Sequence, residues 1–324
     1  GNCNVFIGSQ AGKGHGTSGG TGSDNVLIGE SAGCCLTSAV ENVVIGKCAG
    51  NKITSGGYNV FLGSGAGKAN TEGCGAVFIG RSAGLANETG EYSIIIGQGA
   101  GQTGTAICDN IIIGREAGHA GSFTNAKYNT IVGMQAGCDV TSGCYNSMFG
   151  HCAGTNLTSG KDNVIIGRGA GQNGAITGDQ NTFIGSYAGK SLTSGARNIA
   201  IGRCSACKLD TGSDNIIAGW FAGCQVSSGS NNLLLGYRAG NNTTGQFNTI
   251  LGSDAALFME GGSYNIAIGY YSLRGTENDA NGEVNIAVGR HAGGKISDGD
   301  NNIFIGDCAG CTVTTGFCNV IVGY

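Results

Sequence analysis

Proline is missing from all 324 residues, and tryptophan occurs once. Without proline, the 65 glycines cannot belong to a collagen, which needs glycine at every third position together with many prolines. Charge is sparse as well. Asp, Glu, Lys and Arg make up 12% and the net charge is −4, so no basic stripe exists to neutralise the phosphates of a nucleic acid. No apolar run reaches the roughly 20 residues that a membrane-spanning helix needs. No signal peptide and no initiator methionine opens the chain, which starts in mid-motif at Gly1-Asn2-Cys3-Asn4 and reads as a processed product or a piece of something larger. Hydrophobic residues nevertheless amount to 40%, and their strict placement speaks against disorder.

That placement is periodic. Asn, three apolar residues and Gly recur 19 times, with final glycines from Gly8 to Gly323, and 13 of the 18 gaps between them are 17 residues long. A fixed period this short is the signature of a solenoid, in which each repeat is one coil stacked on the last. The length alone would suggest about two domains. The unbroken repeat overrides this, so residues 1–324 read as a single all-β domain, a β-solenoid or parallel β-roll of about 19 coils, uncapped at both ends. At about 4.8 Å per coil such a stack is roughly 86 Å long.

Each coil opens with a strand such as Val60-Phe61-Leu62, ahead of Gly63. The residue before the glycine is apolar in all 19 copies, and the residue three before it is aliphatic in 15, with Thr130, Ser147, Thr182 and Thr249 as exceptions. Alternation puts these two positions on one face, read here as the inner one. The residue between them, apolar in every copy, then faces outward. A strand apolar on both faces is buried on both, so the outer column is expected to meet another copy of the chain through Phe61, Phe78, Ile95 and Ile112. After the strand come an Ala-Gly corner, a polar loop, and an aliphatic residue such as Ile53 or Leu157 that returns to the core as a second strand. Asn stands at 17 of 19 equivalent positions, replaced by Ala76 and Ser93, and is expected to form a coil-to-coil hydrogen-bonded ladder. The longer gaps place extra residues in loops near His15, Phe123 and Glu277, where a solenoid carries recognition.

The Asn-x-x-Ile-Gly strand with its small-residue turn resembles the head repeats of trimeric autotransporter adhesins and the glycine-rich repeats of phage and algal-virus fibres. The resemblance covers the whole chain and implies a trimeric parallel β-roll. The longer repeat, the Ala-Gly turn and the 15 cysteines depart from the adhesin pattern. A left-handed hexapeptide β-helix is excluded, because Ile45 is followed six residues later by Asn51, and Ile305 by Cys311.

The cysteines are spaced for cross-links. Cys34 and Cys48 are 14 apart, as are Cys138 and Cys152. Cys207 and Cys224, 17 apart, fall in one column and compete with the CxxC pair Cys204 and Cys207; Cys308 and Cys311 form a second CxxC. Disulfides imply an oxidising compartment, hence an extracellular, cell-surface or virion-surface location. Cys3 and Cys318 hold the same phase at the two ends, and head-to-tail stacking would join them between chains. Asn87, Asn156, Asn241 and Asn242 lie in N-glycosylation sequons.

Gly185-Ser186-Tyr187-Ala188-Gly189-Lys190-Ser191 is one residue too short for a phosphate-binding loop and is this coil's own turn. The two CxxC sequences are about six coils apart, too far to share a metal. His15, His119, His151 and His291 fall in different coils, and no nucleophile, base and orienting group recur together. The expectation is therefore no enzyme, no cofactor and no metal. The leading reading is a structural or adhesive extracellular fibre whose partner is itself. A receptor- or glycan-binding fibre segment of a virus or phage, taking surface glycans, comes second, and an ice-binding solenoid third.

Overall fold

The computed structural model describes residues 3–17, 20–276 and 281–324. The chain forms two compact units, Gly1–Asn163 and Val164–Tyr324. The first holds nine strands, from β1 (Val5–Ile7) to β9 (Ser147–Phe149), and the second ten, from β10 (Val164–Ile166) to β19 (Val320–Val322). All are three residues long, and the only helix among the described residues is α1 (Lys13–Thr17). Within each unit consecutive strands pair parallel and in register. Thus β4 (Val60–Leu62) meets β5 (Val77–Ile79) as Val60 to Val77, Phe61 to Phe78 and Leu62 to Ile79, and β16 (Ile266–Ile268) meets β17 (Ile286–Val288) in the same way. Both units are all-β solenoids of 17-residue spacing.

The strands are short because the backbone turns on either side of them. In one coil Gly46, Cys48, Gly50 and Tyr58 all have positive φ, at 139°, 55°, 49° and 61°. At the strand-closing glycine no side chain fits, since a Cβ on Gly63 would sit 2.6 Å from the carbonyl oxygen of Gly80 in the next coil. The positions of Cys48 and Tyr58 are left-handed in nearly every coil although their side chains do not favour it.

These corners decide which face of the strand is inside, and it is the opposite of the sequence expectation. Phe61, Phe78, Ile95 and Ile112 have no exposed surface within the single chain. They are core residues, not an oligomer interface. The reason is period two. The middle residue of the strand shares its face with the Asn two before it and the Gly two after it, and that Asn is itself buried. The core of a coil is therefore three columns: the middle strand residue, the corner alanine and the returning aliphatic residue, as with Phe61, Ala49 and Ile53. Ile53 and Leu157 return to the core as expected, but in irregular backbone and an isolated bridge, not a second regular strand.

The asparagine ladder forms. Asn42 Nδ2 donates to Asn25 Oδ1 at 2.9 Å and to the Gly56 carbonyl at 2.9 Å, and the Asn42 backbone N–H donates to the same Oδ1 at 3.1 Å. Ser93 stands in the ladder by donating to the Ile107 carbonyl and accepting from the Asn110 N–H. The insertion near His15 contains α1, and His15 turns inward, with its ring 5.7 Å from Phe6 and Nε2 3.0 Å from the Gly22 oxygen. Phe123 does not bulge outward: it is fully buried and fills the aliphatic column. Glu277 lies outside the described residues, as do Gly1 and Asn2.

Candidate self-association face and cysteine columns

With the middle residue inside, the two flanking residues of every strand form the outer face. Val43 and Ile45 are 36% and 38% exposed, Ile94 37% and Ile111 38% in the first unit, and Ile199, Ile201, Ile216 and Ile305 are similarly exposed in the second. Each coil adds two side chains, one strand spacing of about 4.8 Å from the last. Two aliphatic columns thus run along each unit's sheet, broken by Thr130 and Ser147 in one unit and Thr182 and Thr249 in the other.

Next to this face runs a column of left-handed residues rich in exposed aromatics: Tyr58, Tyr92, Tyr128, Tyr145, Phe247 and Tyr264. Neighbouring rings stack on one another. Tyr128 and Tyr145 have centroids 5.1 Å apart, and Phe247 and Tyr264 5.0 Å. In the second unit the same column carries a fork between Arg197 and Asp214, with Nε to Oδ1 at 2.6 Å and Nη2 to Oδ2 at 2.8 Å. The Arg197 guanidinium holds the Asp214 carboxyl below its ordinary range. Arg290 does the same for Asp307.

All fifteen cysteines are free thiols in this structure. The fold sorts them into columns. The column at the loop after the corner carries Lys190, Cys207 and Cys224 on three consecutive coils, with Cys204 across the turn. Cys224, one coil on, and Cys204, across the turn, are the thiols that act on Cys207. Interaction with Cys224 brings the Cys207 thiol down to about 6 against the opposing effect of burial, and Lys190 assists. The same interaction, with burial, pushes Cys224 up. Cys308 is raised by Cys311 in the same way. Cys34, Cys48, Cys138 and Cys152, the two pairs expected at 14-residue spacing, are all free thiols here. Cys34 is followed directly by Cys35, whose thiol is pushed up by burial and by the neighbouring Cys34. Burial pushes the Cys138 thiol up, and Cys152 Sγ lies 3.6 Å from Gln135 Oε1 and 3.7 Å from His151 Nε2. Cys3 and Cys318 are exposed and both left-handed, at φ 61° and 56°.

Asn87 is a correction. It is fully buried in the aliphatic column, where its Oδ1 accepts from the Gly90 N–H at 2.7 Å and its Nδ2 donates to the Ile107 carbonyl. It cannot carry a glycan on the folded surface. Asn156, Asn241 and Asn242 are half-buried. Asn241 Nδ2 is bonded to the Phe221 oxygen at 3.0 Å, and Asn242 lines a shallow hollow with Gln225, Thr244 and Glu260.

The segment Gly185 to Ser191 is an ordinary corner, with Gly189 left-handed over the Phe183 ring. The other histidines are scattered: His119 in a polar hollow with Glu116 and Gln98, and His291 beside Tyr270 and Tyr271. Among the described residues no three His, Cys, Asp or Glu are placed to hold a metal ion, and no helix is long and apolar enough to cross a membrane.

The chain matches no family model, no curated protein and no solved structure. What can be read of its function rests on the surfaces described above.

Proposed function

We propose that the chain is a non-catalytic structural fibre subunit that associates side by side with copies of itself through the outer aliphatic face. The observation that carries this is the pair of exposed Val and Ile columns. Burying a whole side chain of this kind gains about 1.5–3 kcal/mol at about 25 cal/mol per Å², which corresponds to roughly 60–120 Å² each. The first unit has 16 apolar outer positions on its nine strands. At about one-third exposure they offer roughly 300–650 Å² of apolar surface, a large part of the ~800 Å² per partner of a stable interface. That matches or exceeds the largest apolar patch of a typical monomer, about 300–600 Å², and patches of this kind are commonly functional. A second copy is the occupant that fits, because it brings the same two columns at the same inter-coil spacing, so that side chains meet coil for coil.

An extracellular, cell-surface or virion-surface fibre is the setting this reading calls for. The glycan-binding alternative gains less support, because Tyr128 and Tyr145 stack on one another and Tyr264 stacks on Phe247. Ice binding gains less still. The Thr37 and Thr54 hydroxyls each donate to the carbonyl of the next coil, at 3.0 and 3.1 Å, so that column is tied into the backbone.

Sedimentation velocity of the full chain tests the proposal. Wild type is expected to sediment as an oligomer at micromolar concentration, and Ile94→Lys combined with Ile111→Lys as a monomer with unchanged circular dichroism. A monomeric wild type, or a double variant that still assembles, refutes it.

A further inference from the structure

The cysteine cluster of the second unit goes beyond a scaffold role. Cys207 and Cys224 occupy one column of adjacent coils, and the Lys208 N–H donates to the Cys224 carbonyl at 3.0 Å, which fixes the two coils at ladder distance. Stacked positions at about 4.8 Å lie within the Cα separation that a disulfide spans. Cys204 stands three residues before Cys207, across the same turn. Two of the thiols differ in access: Cys207 is part-exposed, whereas Cys224 is 9% exposed. Cations surround the group, with Lys190 one coil before Cys207 in the same column, Lys208 beside it and Arg203 beside Cys204. The acid in the neighbourhood, Asp210, lines a hollow together with Lys208.

We propose that Cys207, Cys224 and Cys204 form a thiol–disulfide exchange site, with Cys207 the attacking thiol, Cys224 the resolving thiol, and a small-molecule disulfide as the oxidant. Cys207 loses its proton to water, and its thiolate attacks one sulfur of the disulfide RSSR. A Cys207–S–S–R bond forms, the RSSR bond breaks, and RS⁻ leaves. Cys224 then loses its proton and attacks the Cys207 sulfur, expelling the second RS⁻. Two protein thiols are oxidised to one disulfide and one RSSR is reduced to two RSH. The product is a covalent staple between adjacent coils, made only when the surroundings turn oxidising. Geometry sets the order of events: the part-exposed thiol is reached first, and the buried one beneath it can only resolve. The fall of the Cys207 thiol to about 6 favours the same order, because the thiolate is the reactive species. Alkylation should show it directly. At pH 6 about half of such a thiol is ionised, against roughly 1 in 300 for an ordinary cysteine, and the lower basicity returns about tenfold of that gain, leaving a net advantage of roughly tenfold.

The test uses the full chain, reduced and freed of reductant, with oxidised glutathione and with iodoacetamide at pH 6, followed by peptide mapping without reduction. Cys207 is expected to be alkylated roughly tenfold faster in the folded chain than in the same chain unfolded in urea. The first intramolecular disulfide is expected to be Cys207–Cys224, in Cys204→Ser as well as in wild type. Cys224→Ser should instead accumulate glutathione on Cys207 or form Cys204–Cys207 more slowly. Cys308→Ser, which leaves the cluster intact, should behave as wild type. The proposal is overturned if glutathione and iodoacetamide spread evenly over the cysteines, if Cys204–Cys207 forms first in wild type, or if folding brings Cys207 no advantage.

Discussion

Truncating Phe61 to alanine separates the inner from the outer face of the strand. Phe61 has no exposed surface, and its ring stacks on Phe78 with centroids 4.9 Å apart and planes 12° apart. It also packs against the corner, where the Cβ position of Gly67 lies 2.8 Å from the ring. Removing a buried phenylalanine costs about 3–5 kcal/mol, and the lost ring–ring contact places this site in the upper part of that range, since such pairs add about 0.5–1.5 kcal/mol. Ile45, one coil earlier, is 38% exposed on the outer face. Its truncation in the monomer should cost no more than about 1 kcal/mol, as surface changes do. In a solenoid each coil leans on its neighbours, so the loss should spread along the stack instead of staying at one residue. Native-state hydrogen exchange read by mass spectrometry is the suitable assay, because long repeats need not unfold in one step. In Phe61→Ala, protection of the amides of Val60 and Val77 should fall by a factor of a hundred or more, the equivalent of about 3 kcal/mol at 1.4 kcal/mol per tenfold. In Ile45→Ala it should change less than tenfold. Equal effects from the two substitutions, or a larger one from Ile45, would show that the outer column and not the middle residue holds the coil together.

Gly63→Ala should destabilise the first unit by more than about 1 kcal/mol, because φ is 134° and the new Cβ would meet the Gly80 carbonyl; a urea midpoint equal to wild type counts against this. Asn70 is a buried side chain in the aliphatic column whose Oδ1 and Nδ2 lack partners. Asn70→Leu should therefore stabilise the unit by about 1–3 kcal/mol, read as a higher urea midpoint. Asn42→Ala breaks the four hydrogen bonds made by its side chain and should cost about 1–3 kcal/mol, with extra exchange at the Asn59 amide, which donates to Asn42 Oδ1. The Arg197–Asp214 fork is solvent-exposed, so Arg197→Ala should leave the midpoint at pH 7 within error of wild type. The lowered Asp214 carboxyl favours folding only above the ordinary carboxylate range, and what little it contributes disappears as acid protonates it.

Much of this molecule follows from order along the chain. The 17-residue period, the parallel in-register pairing it demands, the buried corner alanines and the asparagine ladder all follow from repetition, because identical coils can only stack column on column. The cysteine columns follow from it as well: Cys207 and Cys224 meet because they are one period apart. Which strand face is inside was legible only in part. Thr130, Ser147, Thr182 and Thr249 all occupy one flanking position, a sign that this position meets water, while the middle residue is never polar. The deciding feature is tertiary. Left-handed backbone at residues such as Tyr58 and Cys48 sets where the coil bends, and neither side chain announces that conformation. Those bends turn the middle residue and its asparagine inward and leave Ile45, Ile94 and Ile111 outside. They also draw Asn87 into the core and fold Phe123 back into the aliphatic column, because a loop long enough to bulge is also long enough to bury an aromatic ring. Period fixes what lies above what; only the closed coil decides what lies inside.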